Sequence, residues 1–114
     1  FYSAAHPSPE NKAYVAAFEK ANPGRRPNFM SVSGYDGMAL VYQVLGKTNG
    51  SADGDKFLSI AKGLSWMSPR GKMTIDPQSR DVVQDVYIRE VKRVNGHLFN
   101  IEFDRIPSVQ PDGK

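Results

Sequence analysis

By type and setting, Tyr35 is the residue of this sequence most suited to meet a ligand. It stands in Ser31-Val32-Ser33-Gly34-Tyr35-Asp36-Gly37-Met38, where a strand-like run, Phe29 to Val32, gives way to a helix-like one. A strand-to-helix corner at the carboxyl end of a strand is where open α/β sheets take ligands. A helix starting there would turn free N–H groups and its positive end toward a carboxylate. Ser33 and Gly34 would leave the approach open, and the phenol would add apolar contact and a hydroxyl. The plainer alternative is a tyrosine that closes the edge of a core.

Other chemistry is sparse. His6 and His97 are the only histidines, and there is no cysteine. A zinc site would have to be assembled from carboxylates at unsuitable spacings. Gly34-Tyr35-Asp36-Gly37 lacks the glycine spacing and the lysine of a phosphate loop. Ser, His and Asp all occur, but not as a nucleophile elbow. Asp76, Asp81, Asp85 and Asp104 fall at turns and strand ends and read as solvated acids. The spacings therefore offer no enzyme, no metal and no cofactor.

The 114 residues carry a net charge of +3, with fifteen basic and twelve acidic side chains interleaved. The densest basic spots, Arg25-Arg26 and Lys92-Arg93, form no stripe with reading aromatics, so no nucleic-acid surface is expected. No apolar run approaches the length of a membrane span.

The elements that would position Tyr35 follow from pattern. Ser8-Pro9-Glu10 reads as a helix start, with Tyr14, Ala17, Phe18 and Ala21 as a core stripe and Asn22-Pro23-Gly24 as the stop. After the strand at Phe29 to Val32, Tyr35 to Leu45 reads as a helix apolar on more than one side. Its stripe Met38, Val41, Tyr42 and Leu45 is expected in the core, between packed neighbours. Asp53 caps a third helix carrying Phe57, Ile60, Ala61 and Leu64. Ser65 to Arg70 reads as a loop holding Trp66, Lys72 to Ile75 as a short strand, and Asp76 to Ser79 as a turn. Val82 to Val94 and His97 to Phe103 flank Asn95-Gly96, a strong hairpin signal. Counting from that turn pairs Val94 with His97, Lys92 with Phe99, Glu90 with Ile101, Ile88 with Phe103 and Arg89 with Glu102. Pro107 and Pro111 should end regular structure.

Three stretches, in this order, resemble the C-terminal portion of a type I periplasmic solute-binding protein of the branched-chain amino acid (leucine-binding-like) family. They are Ser8 to Lys12 with Val15 to Phe18 and Arg26-Pro27-Asn28; Gly34 to Met38; and Ser68 to Gly71 with Ile75-Asp76-Pro77, Tyr87 and the Asn95-Gly96 hairpin. The resemblance implies an α/β fragment of a two-lobe fold, with three helices, short strands and a C-terminal hairpin. Residues 1–28 would belong to the second lobe, 29–81 to the first lobe with a crossover, and 82–114 to the return crossover and hairpin. Phe1 to His6 would be the tail of an element entered from upstream.

What the resemblance implies for function is capture of an amino acid or small carboxylate between the lobes, outside the cytoplasm, and delivery to an ABC permease. Tyr35, Ser33 and Gly34 would line the cleft, with Tyr2 and His6 near its edge. A lone fragment would bare its lobe interface and self-associate. The alternatives are a ligand-sensing domain of a receptor or regulator, and a freestanding small α/β interaction domain.

Overall fold

A computed structural model of the chain describes residues 2–110. Three helices come first: α1 (Pro9–Ala21), α2 (Phe29–Lys47) and α3 (Gly54–Ala61). Four strands follow: β1 (Ser65–Ser68), β2 (Gly71–Ile75), β3 (Val82–Val94) and β4 (His97–Val109). They form one antiparallel meander in sequence order.

α1 begins and ends as its sequence dictates. The Ser8 side chain accepts from the Asn11 N–H, Pro9 occupies the first turn, and the helix ends at Ala21 before Asn22-Pro23. α3 is capped by Asp53, which accepts from the Lys56 N–H at 2.9 Å. Gly63, at φ +78°, closes its far end in the left-handed region.

α2 departs from expectation. No strand exists at Phe29 to Val32, because the helix already starts at Phe29. Asn28 accepts from the N–H groups of Met30 and Ser31, and the Ser31 hydroxyl accepts from the Asn28 N–H. This reciprocal capping box outweighs the strand-like look of Phe29-Met30-Ser31-Val32. Tyr35 consequently lies in the second turn of a helix, not at a corner, and its N–H is not among the unpaired donors of a helix start.

The stripe expected in the core is also displaced. Val32, Asp36 and Val44 face inward, whereas Met38 and Tyr42 are exposed. Two small clusters, Tyr2, Tyr14 and Val32 with Phe18 against them, and Val44, Ala61 and Leu64 with Leu40, Phe57 and Ile60, lie inside, and Met73 and Ile75 of β2 are buried as well.

Ser65 to Arg70 is not a loop. Ser65 to Ser68 is strand β1, turning through Pro69-Arg70 into β2 so that Ser68 pairs with Gly71. Gly71 is required twice there. Its φ is +106°, and a Cβ at this position would sit 2.6 Å from the Tyr87 hydroxyl.

The β3–β4 register agrees with the count from Asn95-Gly96 over six pairs, from Val94–His97 to Arg89–Glu102. It fails at Ile88, which faces Asp104 rather than Phe103, because a register shift falls between Ile88 and Arg89. Such a bulge inserts one residue and re-aims those beyond it. Pro107 does not end the strand. It lies within β4, an edge strand that can carry a residue with no N–H. Pro111 lies outside the described residues.

Candidate functional site

Tyr35 belongs to a row of tyrosine rings. Its ring centroid lies 4.8 Å from that of Tyr14, tilted by 51°. Tyr2 meets the same Tyr14 ring edge-on at 6.2 Å. The Tyr14 hydroxyl donates to the Ser31 hydroxyl at 2.8 Å, tying α1 to the first turn of α2. Tyr35 itself is 52% exposed, so the row runs from a buried ring to an open one.

Behind the row, Asn11 is fully buried and organises the N-terminal segment. Its side-chain oxygen accepts from the Tyr2 hydroxyl at 2.8 Å. Its amide nitrogen donates to the carbonyls of His6 at 2.8 Å and Ala4 at 3.1 Å. Burial drives the Tyr2 hydroxyl far above its ordinary pKa, with the neighbouring Tyr14 and Asp36 adding to the effect. Burial raises Tyr14 as well, against the hydrogen bond to Ser31. Both phenols are neutral throughout the physiological range.

Asp36 follows Tyr35 in sequence but points inward. Its Oδ2 accepts from the Arg70 Nε at 2.7 Å, with both side chains buried. The pair clamps α2 to the β1–β2 turn. The other oxygen, Oδ1, has no hydrogen-bond partner among the described residues, and neither has the Trp66 indole N–H.

His6 lies on the opposite side of the N-terminal segment, against the hairpin. Its Nδ1 is 2.8 and 2.9 Å from the two Glu102 oxygens. Arg89 donates to the same carboxylate at 2.9 Å, and the His6 ring tilts against Tyr87 at 5.0 Å.

The sequence-derived candidates therefore divide. Tyr35 and Tyr2 flank one ring, Tyr14. Ser33 and Gly34 share an exposed turn with Tyr35, though the Ser33 hydroxyl is engaged with the Phe29 carbonyl at 2.7 Å. His6 lies apart from the tyrosine row, buried, with one ring nitrogen engaged. A cleft of about 320 Å³ opens beside Tyr2, lined also by Arg26, Asn28, Phe29 and Phe99. There the Arg26 guanidinium lies 4.2 Å from the Phe99 ring centroid and donates to the Leu98 carbonyl. Sequence reading missed Arg26, Phe99 and the Asp36–Arg70 pair. Asn28 had a readable signal, a capping residue three positions before Ser31; the pair, 34 residues apart, had none. Among the described residues no group of three His, Asp or Glu could hold a metal, and no helix is long and apolar enough to cross a membrane.

Residues 1–97 match the family described as periplasmic binding protein. The chain belongs to that family. Leu/Ile/Val-binding protein homolog 6 of Brucella abortus is 41% identical over 104 residues, covering 89% of this chain and 26% of that protein. The solute-binding protein of an ABC transporter from Rhodopseudomonas palustris BisB5, solved in complex with 3,4-dihydroxybenzoic acid, is 53% identical with a TM-score of 0.94. The match covers 99% of this chain and 31% of that one. A second such protein, from strain HaA2 and bound to p-hydroxybenzoic acid, is 42% identical with a TM-score of 0.86, over 97% of this chain and 30% of its own. The family and the α/β fragment agree with the resemblance read from Gly34 to Met38 and the stretches flanking it. This periplasmic binding protein chain spans between a quarter and a third of the length of those relatives.

Proposed function

We propose that the chain is part of the solute-binding component of an ABC transporter, acting outside the cytoplasm and capturing a small aromatic carboxylate between two lobes. One observation carries this reading: near-complete structural agreement, at 53% identity, with a solute-binding protein solved in complex with a dihydroxybenzoic acid. A hydroxybenzoate asks for a flat apolar surface, hydroxyl-bearing neighbours and a cation for its carboxylate. The half-exposed Tyr35 ring, tilted against Tyr14, supplies the first and part of the second. Ser33 and Gly34 leave that edge of α2 low. Tyr2 and His6 act behind the surface, Tyr2 supporting Tyr14 and His6 fixing the N-terminal segment to β4. In this reading residues 1–28 belong to the second lobe, 29–81 to the first with a crossover, and 82–114 to the return crossover and hairpin. Closure of the lobes buries the solute, and the closed form engages a membrane permease. The solute leaves chemically unchanged, so no catalytic residue is assigned.

The test is calorimetric titration of the full-length protein with 3,4-dihydroxybenzoate, 4-hydroxybenzoate and leucine. Tight binding of the benzoates and none of leucine is expected. Binding of leucine alone would move the assignment to branched-chain amino acids, and binding of none would remove the solute-capture reading. Tyr35→Ala should raise the Kd for the benzoates at least tenfold, roughly what one central aromatic contributes, with little change in Tm. Unchanged affinity would remove Tyr35 from the site.

A further inference from the structure

The Tyr14 phenol lies along one full turn of α2. Its hydroxyl meets Ser31 at 2.8 Å, and its ring centroid stands 4.8 Å from that of Tyr35. Residues four apart share one face of a helix, so a single side chain of α1 reaches both. On its other sides the ring meets Tyr2 and Phe18, each with its centroid 6.2 Å away. Tyr14 is buried, whereas Tyr35 is open on its far side. An exposed side chain keeps rotamer freedom that a packed neighbour removes, so the angle of the Tyr35 ring depends on the ring behind it.

The bond at the tip of Tyr14 is fixed by hydrogen-bond capacity. A serine hydroxyl has one hydrogen to donate and two lone pairs with which to accept. Ser31 donates to the Asn28 carbonyl at 2.9 Å and accepts from the Asn28 N–H at 3.0 Å. The Tyr14 hydroxyl takes the remaining lone pair. Ser31 is thus saturated, and Tyr14 can only be the donor. Without that hydroxyl the Tyr14 ring would be braced by ring contacts alone, free to slide along α2.

We propose that Tyr14 is a positioning residue for solute binding: its hydroxyl, anchored on Ser31, fixes the ring that sets the angle of Tyr35. The anchor does not touch solute and acts through Tyr35. In the lobe reading above, Tyr14 stands in the second lobe and Ser31 and Tyr35 in the first, so the bond lies at their join, where a hinge moves least. The effect on affinity rests on the solute-capture reading, but the geometry exists without solute.

The test uses the full-length protein in two measurements. One is fluorine NMR, without solute, of protein carrying 3-fluorotyrosine at position 35. The other is calorimetric titration of the unlabelled protein with 3,4-dihydroxybenzoate. Tyr14→Phe keeps the ring and removes only the hydroxyl; Ser31→Ala removes the anchor. Both should shift and broaden the fluorine line in the same direction. Both should raise the Kd roughly threefold to tenfold, the range that one hydrogen bond represents. The double variant should do no more than either single one, as members of one bonded pair do. In a Tyr35→Ala background Tyr14→Phe should leave the Kd unchanged while still lowering Tm, a separation that a purely structural role would not produce. A fluorine line that neither substitution moves overturns the proposal. So does a Kd that Tyr14→Phe leaves unchanged in the parent, or raises equally with and without the Tyr35 ring. Should the benzoates fail to bind at all, the solute reading falls, and the fluorine line still decides whether Tyr14 and Ser31 hold Tyr35.

Discussion

Two carboxylates, the buried Asp36 and the half-buried Glu102, tie this chain together, and they are served differently. Glu102, on β4, has both oxygens within 2.9 Å of the His6 Nδ1 and takes a second donor from Arg89. Asp36, on α2, takes Arg70 on one oxygen and leaves the other without a partner among the described residues. Each joins parts far apart in sequence: His6 to Glu102 across 96 residues, Asp36 to Arg70 across 34. The saturated carboxylate should tolerate change better than the half-served one, because a buried charge is only as cheap as its hydrogen bonds are complete.

The sharpest test of that difference is Arg70→Ala. It leaves the Asp36 carboxyl buried and stripped of the donor at 2.7 Å. A loss of about 3–5 kcal/mol is expected from urea unfolding, the range for breaking a buried pair from one side. A loss no larger than that of an average surface substitution would mean that Asp36 reaches solvent or another donor.

The neighbouring tyrosines offer a pH test of the same interior. Tyr2, Tyr14 and Tyr87 all have pKa values raised above 10, chiefly by burial. The unfolded chain releases these protons near pH 10, while the fold holds them. Stability from this source is therefore complete below pH 10 and is lost as pH rises beyond it. Unfolding midpoints should stay level to about pH 9 and then drop. Tyr2→Phe should flatten part of that drop, and a curve unchanged by it would place the titration elsewhere.

Glu102→Gln comes next. Glutamine retains an oxygen to accept from Arg89 but removes the charge and one of the two acceptors near His6. A loss of about 1–2 kcal/mol is expected, as for impaired hydrogen bonds to a charged group. If it matched Arg70→Ala, saturation would not be what distinguishes the two carboxylates.

How much of this could be read in advance depended on how local the code was. Ser8, Asp53 and Asn95-Gly96 act on residues one to three positions away, so two caps and six pairs of the hairpin were readable. Phe29 to Val32 misled because four apolar or small residues suit a strand as well as a helix, and Asn28 with Ser31 decides between them. The bulge beyond Arg89 has no residue signature, so the count from the turn failed at Ile88. Tyr35 was singled out for a corner that does not exist, yet it is the open end of the tyrosine row. Arg70 could not be found at all: its partner is fixed by how α2 meets the β1–β2 turn, which is a property of the fold.

Gly96→Ala probes the most local of these features and should have the smallest effect. Gly96 has φ +82° and Asn95 φ +49°, as a two-residue turn between right-twisted strands requires. Alanine there costs about 1 kcal/mol in backbone strain. The turn lies beyond Arg89 and Glu102, so their bond and the His6 contact should persist. Far-ultraviolet circular dichroism should keep its strand signal while the urea midpoint falls slightly. A collapse comparable to Arg70→Ala would mean that the hairpin nucleates the whole chain and that Glu102 depends on the turn for its place. A small loss would leave the two carboxylates, rather than the turn, as what holds β4 to the N-terminal segment and α2 to the sheet.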